Sequence, residues 1–118
     1  MVEYSEESLT RIYAALADPT RRSILSRLQQ QELRVTELAE PFVISLNAVS
    51  KHIRVLEEAG LVRREVHGRD HYLSLDAMPL QEAAAWLESY RQFWTDRLAH
   101  LESFLRRKQT KKARKERQ

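Results

Sequence analysis

The sequence predicts a mostly helical α+β fold of about five helices and one two-stranded β-hairpin. Three observations support this prediction. Apolar residues recur every three or four positions in five segments, which is the spacing of an amphipathic helix. Ser, Thr or Asp stands immediately before four of these segments, where its side chain can cap a helix. Between residues 61 and 75, two short runs of β-forming residues flank a glycine, which is the pattern of a hairpin.

The composition indicates a single soluble domain of modest size. With 118 residues the chain can bury only a small core. It has no cysteine, so disulfides, thiol nucleophiles and thiolate metal sites are excluded. No apolar run approaches the roughly 20 residues of a membrane span, and the N-terminus lacks the pattern of a signal peptide. We therefore expect a cytoplasmic protein with no membrane partner.

The net charge of +3 is unevenly distributed along the chain. Residues 106–118 contain eight Lys or Arg and one Glu, whereas residues 1–105 contain twelve Lys or Arg and sixteen Asp or Glu. We expect residues 1–105 to form the domain and residues 106–118 to form a basic tail. The tail has no apolar periodicity, so it is expected to be disordered or conditionally helical. Two roles remain open for this tail: it attracts nucleic-acid phosphates non-specifically, or it only keeps the protein in solution.

The first three helices are predicted from their caps and apolar faces. Ser5 caps the first helix, and Asp18 followed by Pro19 ends it and begins the second, which runs to about residue 30. Thr36 is predicted to cap a short third helix. The inward residues of the first helix are Leu9, Ile12, Tyr13 and Leu16.

The fourth helix carries the clearest functional pattern. It is predicted to follow the N-cap Ser45 and to end at Gly60, which suits the left-handed position after a helix. Its apolar stripe consists of Leu46, Val49, Ile53 and Leu56. Its other face carries polar and cationic groups, namely Asn47, Ser50, Lys51, His52 and Arg54. A short helix, a turn and a helix of this kind are typical of a helix-turn-helix protein that binds double-stranded DNA in the major groove. The alternative is an ordinary solvated helix.

A basic hairpin follows this helix and strengthens the DNA-binding interpretation. Its strands are predicted at Leu61 to Val66 and Asp70 to Leu75, and Gly68 between them can adopt a positive φ. The cationic and turn residues near the tip are Arg63, Arg64, His67, Gly68 and Arg69. Such a hairpin is a wing that can lie along phosphates or reach the minor groove.

Four segments in this order resemble the ArsR/SmtB family of winged-helix bacterial repressors. They read LADPTRRSILSRL, TELAE, SLNAVSKHIRVLEEAGLVRRE and GRDHYLSL, and the resemblance covers roughly residues 8–105. It implies a homodimer that binds an operator and releases it when an effector arrives. It also implies that five residues of the fourth helix face the DNA groove: Asn47, Ala48, Ser50, Lys51 and His52.

The sequence departs from the metal-sensing pattern of that family. Arg34 and Thr36 stand where metal-sensing members carry cysteines, and neither side chain can replace a thiolate. Asp96 and His100 lie four residues apart on the last helix, but two ligands fall short of a zinc site unless a partner chain completes it. A simple contact between these two side chains is the favoured interpretation. We therefore expect no bound metal and no cofactor, and the effector is not identified.

The last helix, predicted from Met78 to about Leu105, has two apolar stripes. One follows heptad spacing, interrupted by Arg91, and comprises Leu80, Ala84, Leu87, Trp94, Leu98, Leu101 and Leu105. The other comprises Ala83, Trp86, Tyr90, Phe93 and Phe104. A small domain cannot easily bury both, so we expect a homodimer; a single wide core face is the alternative. The expected interface residues are Leu9, Ile12, Tyr13, Leu87, Tyr90, Trp94, Leu98 and Leu101.

Two functions from different classes therefore compete. The first is a sequence-specific, DNA-binding transcriptional repressor with a palindromic operator. The second is a protein-interaction module of the same shape that uses the aromatic last helix or the basic tail. An enzyme is not expected, because the chain has no thiol, no glycine-rich phosphate loop and no convincing acid–base pair. Arg21 and Arg22 on the second helix are expected to be solvated or paired with acids, with a phosphate contact as the alternative.

Overall fold

The computed structural model describes residues 5–117 and, within them, five helices and one three-stranded sheet, which confirms the predicted α+β fold. The helices are α1 (Glu6–Leu16), α2 (Pro19–Gln30), α3 (Val35–Ala39), α4 (Leu46–Glu58) and α5 (Met78–Arg117). The strands are β1 (Leu33–Arg34), β2 (Val62–His67) and β3 (Asp70–Leu75). The chain divides after Ala83 into two compact units.

The predicted caps of α1, α2 and α4 are confirmed. The side chains of Ser5, Asp18 and Ser45 each accept a hydrogen bond from the backbone N–H three residues later, at 3.2, 2.9 and 3.1 Å. Each bond satisfies one of the free amides at the start of a helix. Gly60 follows α4 with a φ of 76°, in the left-handed region that glycine adopts without steric cost.

The core of the first unit forms where α2, α3, α4 and the sheet meet. Its fully buried aliphatic side chains include Ile24, Leu38, Val49, Ile53, Leu56, Leu61 and Leu73. Three of the four residues predicted for the apolar stripe of α4 are in this core. Leu46 is the exception, since 52% of its side-chain surface is exposed. It occupies the first helical position, ahead of the part of α4 that packs on the core.

The predicted hairpin is confirmed and gains a third strand. β3 lies between β1 and β2, and both pairings are antiparallel. In the hairpin, Val62 pairs with Leu75 and His67 with Asp70, so Gly68 and Arg69 form the turn. Gly68 has a φ of 62°. The two-residue β1 has too few positions to show an alternating pattern, and its pairing with Leu73 is distant in sequence.

The predicted Thr36 cap of the third helix is wrong: the helix begins at Val35 and its N-cap is Arg34, two residues earlier than predicted. The Glu37 carboxylate accepts from the backbone N–H of Arg34 at 3.1 Å and from its Nε at 2.9 Å. The acidic side chain at the third position of the helix therefore accepts from the backbone N–H of the N-cap residue. These two hydrogen bonds hold the pKa of Glu37 below its usual value.

The second unit consists of the continuation of α5 from Ala84. The helix does not end near Leu105 but continues through the basic segment to Arg117. Residues 80–117 contain neither Gly nor Pro and are rich in strong helix formers. Arg106 also pairs with Glu102 at 2.6 Å, one turn earlier. This favours the helical alternative for the basic segment over the disordered one. No helix in residues 5–117 is both long and apolar enough to cross a membrane.

Candidate nucleic-acid interface

The outer face of α4 presents polar side chains to solvent, with Glu58 exposed at the last position of the helix. Asn47, Lys51 and Arg54 are all exposed, and their three- and four-residue spacing places them on one side of the helix. Val49 and Ile53, on the opposite side, are completely buried. The core therefore fixes which face of α4 points outward. Of the other predicted residues in α4, Ala48, Ser50 and His52 are partly buried, and Ser45 uses its hydroxyl in the cap.

His52 lies on the flank of α4 that faces the start of α2. Its Nδ1 is 3.2 Å from a terminal guanidinium nitrogen of Arg21 and 3.8 Å from an Asp18 carboxylate oxygen. Arg21 also donates to the carbonyls of Ala14 and Ala15, at 3.0 and 2.8 Å. One guanidinium thus joins the C-terminal end of α1 to α4. A cation at that end of α1 also interacts favourably with the negative end of the α1 dipole.

The Asp18 carboxylate is stabilised by the same arrangement. The backbone N–H of Arg21 donates to it, and His52 and the Arg21 guanidinium lie nearby, so its pKa is lowered from the ordinary value. A carboxylate with a lowered pKa stays ionised and so continues to accept the hydrogen bond from the backbone N–H of Arg21 at the N-terminus of α2. The cap of α2 and the flank of α4 therefore share one electrostatic cluster.

The other flank of α4 is tied to the wing. The Arg64 guanidinium in β2 donates to both carboxylate oxygens of Glu57, at 2.7 and 3.3 Å, and contacts Nδ1 of His71 at 2.9 Å. A two-point arginine–carboxylate contact fixes orientation as well as distance. Arg64, which the sequence places among the DNA-contacting residues of the wing, thus joins β2 to α4.

The wing tip contains one cation that makes no ion pair with residues 5–117. This is Arg69, an exposed residue in the turn next to Gly68. His67 lies 3.2 Å from a carboxylate oxygen of Glu65, and its ring meets Tyr72 edge-on at a centroid distance of 5.6 Å. Arg69 is therefore the wing side chain most available to a phosphate.

Arg22 of α2 is exposed and the Arg21 guanidinium lies near Asp18, as the expectation of solvation or acid pairing implied, but the arginines of α2 also donate to main-chain carbonyls. The Arg21 guanidinium contacts carbonyls and His52, and Arg22 donates to the Leu16 carbonyl at 2.7 Å. Arg27 donates to the carbonyls of Glu37 and Leu38 in α3. Sequence patterns do not reveal these bonds, because their acceptors are main-chain atoms at the ends of other helices.

Metal-ligating side chains do not come together in the part of the chain that the structure describes. Within residues 5–117, no group of three or more His, Asp or Glu side chains could hold an ion. Arg34 and Thr36 occupy the positions of the family's cysteines, and Arg34 is engaged by Glu37 at 2.9 Å and by Asp70 at 3.9 Å. A guanidinium held between two carboxylates adds positive charge where a metal ion would need anionic ligands.

Comparisons with known proteins decide the family. A helix-turn-helix domain model matches residues 16–65, from the end of α1 into β2. The transcriptional repressor SdpR of Bacillus subtilis is 30% identical over 82 residues, which cover 70% of this chain and 91% of SdpR. The SmtB homolog of Synechocystis, named a transcriptional repressor, is 39% identical over 69 residues, 58% of this chain and 52% of that protein. The crystal structure of the ArsR family transcriptional regulator RHA00566 superposes with a TM-score of 0.74 and 39% identity, over 80% of this chain and 97% of that one.

The chain belongs to the ArsR/SmtB family. It is a winged-helix, DNA-binding transcriptional regulator, as the resemblance implied. In this ArsR/SmtB protein, α3 and α4 form the helix-turn-helix and the hairpin of β2 and β3 forms the wing. The relatives named above are transcriptional regulators.

An apolar feature at the start of α4 was not predicted from the sequence. Val43 and Ile44, in the turn before the helix, are 104% and 41% exposed, and Leu46 is 52% exposed. Three exposed aliphatic residues thus surround the Ser45 cap of α4. No sequence pattern indicates this exposure, because Leu46 continues the apolar spacing of α4.

Proposed function

We propose that this ArsR/SmtB protein is a homodimeric repressor whose two copies of α4 enter the major groove at the half-sites of a palindromic operator. The observation that carries the proposal is the two-sided construction of α4. Its inner face is buried in the core, and its outer face presents Asn47, Lys51 and Arg54. The N-terminal half of a recognition helix contacts base edges in helix-turn-helix complexes. Asparagine can bond to adenine, and lysine or arginine can bond to guanine.

The contacts divide the proposed DNA-binding residues into two groups. Asn47, Lys51, Arg54 and Arg69 are exposed and make no ion pair with residues 5–117, so they are proposed to contact bases or phosphates directly. His52 contacts Arg21 of α2, so it is proposed to position α4. Arg64 pairs with Glu57 of α4, so it is proposed to position the wing. The remaining members of the proposed interface are Ser45, Ala48, Ser50, His67 and Gly68.

The exposed apolar stripe of α5 supports the dimer. The side chains of Leu87, Trp94, Leu98, Leu101 and Leu105 are between 50% and 62% exposed. Apolar residues at heptad spacing form a continuous stripe along a helix. Packing this stripe against a second helix removes it from water and stabilises the pair. Leu9 and Tyr13 of α1 and Tyr90 of α5 are kept as proposed interface residues. Ile12 is only 1% exposed, so it is proposed to support the interface from within its own chain.

Of the two stripes on α5, the heptad stripe is the more open to a partner. Two rings of the other stripe are covered in part by cations of the same helix. Arg97 lies 5.1 Å above the ring of Phe93, and Lys108 lies 5.3 Å above the ring of Phe104. Cation–π contacts of this kind are favourable in water and reduce the gain from burying those rings. The dimer contact is therefore proposed to centre on the stripe that contains Leu98, with Tyr90 of the other stripe at its edge.

The DNA-binding proposal is tested with an operator obtained by selecting bound DNA from a random pool. Asn47→Ala and Lys51→Ala should each weaken operator binding by roughly 1–3 kcal/mol and change binding to random DNA much less, because base contacts carry the sequence preference. Arg11→Ala is the matched control, since Arg11 is an exposed cation on α1. Equal losses on both DNAs for both variants would show that α4 does not recognise sequence.

The dimer proposal is tested by analytical ultracentrifugation at micromolar concentration. The unmodified protein should sediment as a dimer, and Leu98→Glu should sediment as a monomer because it places a charge in the apolar stripe. Ser103→Glu introduces the same charge on the opposite side of the heptad and should leave the dimer intact. A stable monomer of the unmodified protein contradicts the proposal.

Residues 1–105 are proposed to act as the DNA-binding and dimerisation domain, with residues 106–118 as a basic extension. The proposed location is the cytoplasm, where the operator DNA is present. The effector that releases the DNA is not assigned. The sensor is proposed to differ from the family's thiolate metal site, since Arg34 and Thr36 replace the cysteines.

A further inference from the structure

We propose that Leu46, supported by Val43 and Ile44, recognises the methyl groups of thymines in the operator. The proposal rests on the assignment of α4 as the recognition helix and specifies what its first turn selects. All three side chains are exposed and lie within four residues of one another. They flank Ser45, whose hydroxyl is already used to cap the amide of Ala48 at 3.1 Å.

The position of Leu46 gives it access to base edges. It is the first residue of α4, directly before Asn47, and the early residues of a recognition helix are those that approach bases. Three of the four aliphatic residues with this spacing along α4, Val49, Ile53 and Leu56, are completely buried. Leu46 alone among these four projects beyond the core, so folding does not explain its apolar side chain.

The chemistry of the major groove identifies the complementary group. Guanine, cytosine and adenine present hydrogen-bond donors and acceptors there, whereas thymine also presents its C5-methyl group. An aliphatic side chain can gain by covering this methyl and by excluding water from it. Leu46 cannot form a hydrogen bond to any base through its side chain. Its discrimination between bases must therefore come from the thymine methyl.

The test compares the selected operator with one in which deoxyuridine replaces thymine. Deoxyuridine lacks only the C5-methyl group, so base pairing and all hydrogen-bonding groups are retained. Burying one methyl-sized group changes affinity by roughly fourfold at 25 °C. The unmodified protein should therefore bind the deoxyuridine operator about fourfold more weakly for each methyl that it contacts. Replacing thymines only outside the bound region should have no effect.

Variants assign the effect to the proposed residues. Leu46→Ala should bind the thymine operator more weakly and should no longer distinguish the two operators; alanine is a good helix former, so α4 is retained. Val43→Ala should reduce the difference. Val66→Ala is the matched control, because Val66 is 56% exposed on the wing and the change in size is the same. It should keep the full difference.

Three outcomes overturn the proposal. If the unmodified protein prefers the operator over random DNA but binds both operator versions equally, methyl recognition is refuted and α4 as the recognition helix stands. If Leu46→Ala keeps the full difference, other residues contact the methyls. If no sequence preference exists at all, the proposed function fails as well.

Discussion

Replacing Arg21 separates a structural role from a role in phosphate binding. Its guanidinium donates to the carbonyls of Ala14 and Ala15 and contacts His52, so Arg21→Ala removes three connections between α1, α2 and α4. Hydrogen bonds that involve a charged group contribute about 1.5–3 kcal/mol each when they are well shielded. One of the two carbonyl bonds is exposed, so we expect a net loss of about 1–2 kcal/mol. That loss corresponds to a melting temperature lower by about 5–10 °C for a domain of this size.

The assay combines urea denaturation with a salt series of DNA affinities. Arg21→Ala should lower the free energy of unfolding and leave the slope of log affinity against log salt unchanged. Arg21→Lys should also lose stability, because lysine keeps the charge but its single nitrogen cannot reproduce contacts that three separate guanidinium nitrogens make with Ala15, Ala14 and His52. Arg11→Ala should change neither quantity. If Arg21→Ala keeps full stability and reduces the slope by about 0.9, Arg21 contacts a phosphate and the structural role is wrong.

Three further predictions concern pH, metals and the basic segment. Because the pKa of Asp18 is lowered in the folded state, its carboxylate stabilises the fold at pH values above its unfolded pKa of about 3.9. This stabilisation begins to decrease near that pH and is lost as the pH falls through the lower folded-state pKa. The difference in unfolding free energy between the unmodified protein and Asp18→Asn should therefore shrink between about pH 5 and pH 3; a constant difference contradicts the assignment. Stoichiometric zinc, copper or cadmium should leave operator affinity unchanged, whereas a tenfold loss that disappears in His100→Ala would establish a site on α5. Deleting residues 106–118 should weaken binding to operator and random DNA alike and flatten the salt dependence, and a loss confined to the operator would show sequence-specific contacts there.

Local chemistry explains which parts of the fold could be predicted from the sequence. Ser5, Asp18 and Ser45 each cap a helix through an amide three residues away, so neighbouring residues determine the bond. The buried stripe of α4 follows from periodicity alone. By contrast, β1 is only two residues long and is defined by pairing with β3, about 40 residues later, which no local pattern reveals.

The candidate site shows the same distinction between local and distant information. Periodicity predicts that Asn47, Lys51 and Arg54 share a face with one another. It does not reveal that His52 contacts Arg21, which is 31 residues earlier, or that Arg64 pairs with Glu57 across two elements. The exposure of Leu46 could not be predicted either, because it depends on where the core ends beneath the first turn of α4.

Side-chain pairing also limits how many cations can contact phosphates. Of the twelve Lys and Arg residues in residues 1–105, eight contact a carboxylate, a backbone carbonyl or an aromatic ring in the described structure. The four that make no such contact with residues 5–117 are Arg11, Lys51, Arg54 and Arg69. Three of these four lie on α4 or at the wing tip. A cation that already contacts a carboxylate, a carbonyl or a ring has fewer free N–H groups and less freedom to reach a phosphate. We therefore expect about three phosphate contacts per protomer from residues 1–105, each contributing roughly 0.9 to the salt slope. We therefore expect residues 1–105, which are mildly acidic, to depend on base contacts and on the fit of α4 for their DNA affinity, and we expect the basic end of α5 to supply most of the charge-driven attraction.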